Sequence, residues 1–221
     1  MNIVIMGPPG SGKGTASASI VEAFPALKHL SSGDLIRAAI ANETPLGKKV
    51  EDTVEKGILI PKEDLIAIMH EVLGKAENQT DMLLDGFGKK PEEGRELLKI
   101  MKIDRVIVLD TDEQTVVDRI EKRRVCPKCK LTTNTDEYNE PECPKCKTLL
   151  VTRKDDNVET VRVRFKEYNR DTLKTIEVFE KAGLVVHVDA KQSIEDVAAA
   201  CIKAVSEVAN CNAKAVGGKE R

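Results

Sequence analysis

The stretch "NIVIMGPPGSGKGTA", residues 2–16, decides the fold. A short apolar run, Ile3 to Met6, ends in a glycine-rich turn that leads into a helical pattern. Gly7, Gly12 and Lys13 fit the phosphate-loop pattern G-x-x-x-x-G-K, but Gly14 takes the usual hydroxyl position and Thr15 comes one residue late. Backbone N–H groups of Gly10, Ser11, Gly12, Lys13, Gly14 and Thr15, at the start of a helix, can wrap phosphate oxygens, and the helix dipole adds to the attraction. Lys13 then reaches the outer phosphates. The usual hydroxyl helps to hold magnesium, so its absence puts the ion on phosphates, waters and a carboxylate elsewhere. Asp85, which ends the apolar run of "MLLDGFGKK", is the candidate, because an open α/β sheet presents ligands at the carboxyl ends of its strands.

Around this loop the chain alternates short apolar runs with helical patterns. Residues 3–6, 26–30, 82–84, 105–109 and 184–188 read as strands, most of them near-continuously apolar, as in a parallel sheet covered on both faces. Leu65, Met69 and Val72 mark a helix over 62–73 with Pro61 suited to its first turn. A longer helical pattern runs through Val158, Val161, Phe165, Tyr168, Thr172, Ile176 and Phe179. The alternation predicts an α/β fold, a doubly wound parallel sheet of the phosphate-loop kind. Two stretches interrupt it: residues 31–60, too long for a simple connection, and the segment carrying Cys126 to Cys146. The last residues, "NCNAKAVGGKER", are polar and expected to fray, after a helix with the apolar stripe Val197, Cys201, Val205, Val208.

Composition narrows the function classes. With 221 residues, 41% hydrophobic and 33% charged, the chain can bury a sizeable core. A net charge of −2 offers no bulk attraction for nucleic acid or membrane, so any cationic site is a local cluster. The opening apolar run is too short for a signal peptide and no run approaches the ~20 residues that span a bilayer, which predicts a cytoplasmic protein.

The local clusters are arginines and cysteines. Arg119 and Arg123 lie four apart on a predicted helix and share a face. Arg153 precedes "KDDNVETVRVRF", where Asp155 or Asp156 is placed to cap a helix that carries Arg162 and Arg164. Phosphoryl transfer is stabilised mainly by positioned positive charge, and the arginine fork suits phosphate oxygens. "CPKC" occurs at Cys126–Cys129 and again at Cys143–Cys146. Two such knuckles complete a closed tetrahedral thiolate site, which predicts a structural zinc folding a segment too short for its own core. Cys201 reads as a buried thiol and Cys211 as incidental.

"GPPGSGKGT", "SSGDLIRAAI", "LLDGF", "DRIEKRRVC" and "TRKDDNVETVRVRF" together resemble the adenylate kinase family, in its long form with a zinc-bearing lid, over almost the whole chain. The resemblance implies a five-stranded parallel core (1–30, 61–121 and 160–221), a monophosphate-binding insertion (31–60) and a lid (122–159). It implies reversible, magnesium-dependent phosphoryl transfer from ATP to AMP, giving two ADP, with neither nucleic acid nor membrane as partner. In such a site Gly10 to Thr15 hold the ATP phosphates, with Arg119 and Arg123 at the lid hinge and Thr132 and Thr133 near the ATP base. Ser32, Arg37, Ile58, Leu59, Ile60, Gly86, Phe87, Gly88, Lys89 and Glu93 belong to the monophosphate site. Arg153 and Arg164 bridge the two nucleotides; Lys13, Asp85 and the four arginines Arg119, Arg123, Arg153 and Arg164 form the catalytic set.

The chain departs from that family at four points. Gly88 and Lys89 replace the usual Pro-Arg, keeping a charge but losing the bidentate fork, with Lys90 placed to share the work. Glu93 replaces the glutamine that reads adenine; a carboxylate only accepts, which suits guanine's adjacent donors at least as well. Thr133 and Ala16 replace an aromatic and a glutamine. Base selectivity is therefore open to relaxation at both sites. The rival reading is a zinc-ribbon nucleic-acid-binding protein with a regulatory nucleotide site, favoured by Lys128, Lys130, Lys145 and Lys147. The acidic balance and the lack of stacking aromatics oppose it. A monomer and a homo-oligomer are both compatible with the sequence.

Overall fold

A computed structural model describes residues 1–217, with side chains through Cys211. Five parallel strands, β1 (Asn2–Met6), β2 (Lys28–Ser31), β3 (Met82–Asp85), β4 (Arg105–Asp110) and the C-terminal strand Val185–Asp189, form one sheet. β1 is central, between β3 and β4, and its residues are all buried because helices cover both faces. Val4 and Met6 face one core with Leu84, Val106 and Val108, while Ile3 and Ile5 face the other with Leu83, Ile107 and Leu109, as the period-two alternation of a strand requires. The second core is closed by α1 (Lys13–Ala23) and the final helix, Ile194–Gly217. The stripe Val197, Cys201, Val205 and Val208 is buried there, so it offers no free face for self-association. The polar end expected to fray is helical up to Gly217, and residues 218–221 lie outside the described residues.

The second strand starts two residues later than its apolar pattern suggests, because it is an edge strand whose Lys28 and His29 are tolerated where only one side is paired. The stretch 31–60 holds a helical hairpin, α2 (Ser32–Ala41) and α3 (Pro45–Glu55), capped by Ser31 accepting from the Asp34 amide and by Thr44 accepting from the Gly47 amide. The hairpin closes on Gly47: a Cβ there would lie 2.1 Å from the Ala39 carbonyl oxygen. Backbone, unlike a long side chain, cannot swing aside. Gly47→Ala is therefore expected to destabilise the chain by about 1–3 kcal/mol, read as a lower urea midpoint. An unchanged midpoint would mean that the two helices part freely.

α4 (Lys62–Leu73) follows, with Pro61 at its cap position rather than inside its first turn. α5 (Pro91–Ile100) and α6 (Glu113–Glu121) follow β3 and β4. After them β5 (Arg123–Val125) and β6 (Thr132–Asn134) make a two-stranded antiparallel ribbon that carries the cysteines. The long helical pattern from Val158 is broken: α7 (Val158–Glu167) passes through a π turn, Tyr168–Thr172, into α8 (Leu173–Lys181). The helix packs first on α6 and then on α5, and the extra residue of a π turn re-aims its buried face between the two. Asn157, not Asp155 or Asp156, caps α7, accepting from the Thr160 amide at 2.8 Å. The two aspartates are drawn away by arginines. The C-terminal strand, next in order, is β7 and the final helix α9.

Candidate functional site

The strand-to-helix turn after β1 opens into a cleft of about 1260 Å³ along the carboxyl edge of the sheet. Gly12 sits at the helix cap with φ 93, a left-handed conformation open to glycine, where the loop turns into α1. Gly10 to Thr15 all line the cleft. Lys13 folds back across the loop and donates to the Gly7 and Pro8 carbonyls at 2.9 and 2.8 Å. Burial lowers its pKa to about 8; Asp85 opposes the shift, and Lys89, Arg123 and Arg164 add to it.

Asp85 ends β3 beside this lysine. Burial alone would raise its pKa, but the nearby imidazole of His29 and the charges of Lys13 and Lys89 more than offset that, so it is held below the usual carboxylate range. His29 Nε2 stands 3.8 Å from its Oδ2 on the neighbouring strand. A lone histidine in a short strand carries no spacing signal, so sequence reasoning passed over it. Ser32 donates to the Gly86 carbonyl at 2.6 Å, so its hydroxyl shapes the Asp85–Gly86 turn.

Four arginines are pre-set by oxygens. Arg37 donates to Asp34 at 2.6 Å and Arg119 to the Ala190 carbonyl at 2.7 Å. Arg123 forks onto Asp156, and Arg164 pairs with Asp155. A guanidinium has five N–H donors and these contacts use one or two, leaving the rest for a phosphate. The Arg153 guanidinium has no hydrogen-bond partner among the described residues; burial, then Arg123 and Arg37, lowers its pKa to about 10. Arg162 points elsewhere, 3.6 Å from Glu113 at an exposed position. A chain of net charge −2 thus concentrates cations on one cleft, a site for a polyanion.

At the other end Ile58, Leu59, Ile60 and Phe87 supply an apolar wall, with Lys89 and Glu93 beside it. Burial lowers the Lys89 pKa, partly offset by Glu93 and Asp85. Gly88 does not reach the cleft; it packs toward Gly94 and Phe179. Lys90 does not line the cleft; its ammonium donates to the Ile60 carbonyl at 3.0 Å. Thr132 and Thr133 line the loop end, as do Ala190, Gln192, Ser193 and Ile194, which the sequence did not single out because a polar turn before a helix looks like any other.

Beyond the cleft, the Sγ atoms of Cys126, Cys129, Cys143 and Cys146 all lie within 4.8 Å of one another. The knuckles repeat one geometry: the Lys130 and Lys147 amides bond back to Cys126 and Cys143 at 3.0 and 2.9 Å. Both lysines take a left-handed φ, 62 and 59, which costs about 1–2 kcal/mol per residue. Sγ pairs at 3.4 and 3.5 Å are too far apart for disulfides and near the ~3.8 Å edge of a tetrahedron with ~2.3 Å Zn–S bonds. The thiols fit a structural zinc.

A glycine loop at a helix start, a buried lysine and a ring of arginines over a parallel sheet define a phosphate-loop nucleotide phosphotransferase. The family model "Adenylate kinase" matches residues 5–184. The chain is 37% identical to an adenylate kinase of Kosmotoga olearia, covering 89% of this chain and 95% of that one. It is 38% identical to one of a Geobacillus species (89% and 94%) and 35% identical to one of Carboxydothermus hydrogenoformans (94% and 100%). The chain belongs to the adenylate kinase family, and it is a kinase with a nucleoside monophosphate acceptor.

Proposed function

We propose that the chain transfers the terminal phosphoryl group of ATP to AMP, reversibly, yielding two ADP. The observation that carries this reading is the cleft itself, where Lys13 and the loop amides face Lys89, Arg37, Arg153 and Arg164 across one continuous space. On this reading residues 1–30, 61–121 and 160–221 are the core, 31–60 binds the monophosphate and 122–159 is the lid. The loop amides and Lys13 hold the donor phosphates, with Arg119, Thr132 and Thr133 toward the donor base. Lys89 and Arg37 hold the acceptor phosphate, with Ser32, Gly86, Phe87 and residues 58–60 around its nucleoside. Arg123, Arg153 and Arg164 neutralise charge on the migrating group, so it passes between oxygens already in line.

Magnesium, bound with the nucleotides, neutralises phosphate charge, and ionised Asp85 is the protein group suited to hold it through water. Lid closure excludes water, so the acceptor outcompetes hydrolysis. Zinc in the four-cysteine site keeps the lid folded. The unbridged thiols suit a reducing cytoplasm, and among the described residues no helix is long and apolar enough to cross a membrane. Lys130 and Lys145, which favoured a nucleic-acid ribbon, line the cleft instead.

The test is a set of initial rates with ATP or GTP as donor against AMP, GMP, CMP and UMP. Two ADP per ATP and AMP consumed, with little ADP when AMP is omitted, is the expected result; slow hydrolysis alone overturns it. Lys89→Met is expected to lower kcat/KM for the acceptor by about 10–100-fold, as loss of a charged phosphate contact should. An unchanged value would remove Lys89 from the acceptor site.

A further inference from the structure

Glu93 is almost fully buried at the start of α5, where its carboxylate completes the helix cap. Its Oε2 accepts from the Lys89 amide at 2.8 Å and from the Lys90 amide at 3.1 Å, which occupies both lone-pair directions of that oxygen. Its Oε1 accepts from no protein donor among the described residues, and it is not among the polar atoms sealed from the cleft that Glu93 lines. The Lys89 ammonium is close enough to act on the carboxylate's charge but forms no ion pair with it. One oxygen is therefore fixed by the backbone, and the other is left free for a donor in the cleft, which Glu93 lines together with Ile58, Leu65 and Phe87.

We propose that Glu93 makes the acceptor pocket read its base through a single hydrogen-bond acceptor, so that it takes purine monophosphates whose outer edge carries an N–H donor and rejects those without one. This rests on the monophosphate-acceptor reading above and goes on to state what that site selects. Adenine offers its 6-amino group and guanine its N1–H and 2-amino groups, so AMP and GMP both qualify. Unsubstituted purine presents only the lone pair of N1. Against a half-desolvated carboxylate oxygen that lone pair is repelled, and the oxygen loses its water without gaining a donor.

The cap also fixes what a substitution does. In Glu93→Gln the amide oxygen must stay with the Lys89 and Lys90 N–H groups, since an NH₂ there would face two donors. The NH₂ group then takes the place of Oε1. The polarity of the presented atom is inverted, and N1 of unsubstituted purine becomes a partner.

The test measures calorimetric dissociation constants of AMP, GMP and purine riboside 5′-monophosphate for the full-length protein and for Glu93→Gln, with phosphoryl transfer assayed separately. The unsubstituted compound is expected to bind the native protein about 10–100-fold more weakly than AMP, the effect of one lost hydrogen bond to a charged group. The variant is expected to bring the two within a few-fold of each other. Equal binding of AMP and the unsubstituted compound by the native protein overturns the proposal, whether or not the variant folds. Discrimination in binding without phosphoryl transfer leaves the proposal standing and sinks the kinase reading instead.

Discussion

Replacing Lys13 with alanine is expected to lower kcat by at least about 10²–10³-fold, the loss typical when one pre-set positive donor is removed from a developing charge. The fold should survive. Lys13 is held by the Gly7 and Pro8 carbonyls inside the loop, and its pKa falls from 10.5 to about 8 because burial penalises the charged form. The linkage sign follows from that direction. Between pH 8 and 10.5 the unfolded chain binds more protons than the folded one, so stability rises with pH there, and at neutral pH the buried ammonium opposes folding. Removing it relieves that cost, so the variant should melt no lower than the parent.

Binding has the opposite sign. Donor phosphates raise the Lys13 pKa, so nucleotide uptake above pH 8 carries a proton with it, and donor affinity weakens as pH climbs through that range. Calorimetry in buffers of different ionisation enthalpy reads that proton directly. Turnover retained in Lys13→Ala, or proton release on binding, contradicts the role given to this side chain.

The legible parts of the molecule were those whose physics is local. The loop needs glycine and lysine at set spacing, the central strands need unbroken apolar runs, and the knuckles need two thiols each, so all of these can be read from a few neighbouring residues. What was missed depends on residues distant in the chain. Asp155 and Asp156 have good capping chemistry, yet Arg164 and Arg123 recruit them, and the cap passes to Asn157. Lys90 resembles a phosphate ligand, but its ammonium lies on the Ile60 carbonyl, 30 positions away, and it does not line the cleft. His29 gains meaning only because β2 lies against β3, which sets it beside Asp85. The π turn at Tyr168–Thr172 is invisible because an apolar spacing of three and four residues fits a regular helix equally well.

Stripping zinc is expected to have the second large effect, on stability more than on chemistry. The lid has little apolar interior to hold it: Leu149 is 63% exposed and Val151 45%, and both knuckles carry a left-handed lysine that an unconstrained chain would relax. The Arg123–Asp156 fork joins the two ends of the lid segment, and Arg164 outside it pairs with Asp155 within it, so a lid that loses its knuckles loses the geometry of both contacts. Taking about 3–4 kcal/mol for that lost coupling, and about 2–4 °C per kcal/mol for a chain of this size, the melting temperature falls by on the order of 10 °C. Thiol counting gives the sharper reading. Among the cysteines only Cys211 is exposed and Cys201 is fully buried, so the native protein should show one fast thiol. A chelator should expose Cys126, Cys129, Cys143 and Cys146 as well, bringing the fast thiols to five, and Cys201 should join only on global unfolding. Turnover at room temperature should fall less than in Lys13→Ala, because Lys13, Lys89 and Arg164 stand outside the lid segment, and zinc should restore it. Five fast thiols in the untreated protein, with less than one zinc per chain, would show that the lid holds itself without metal and that the paired CPKC motifs serve another purpose.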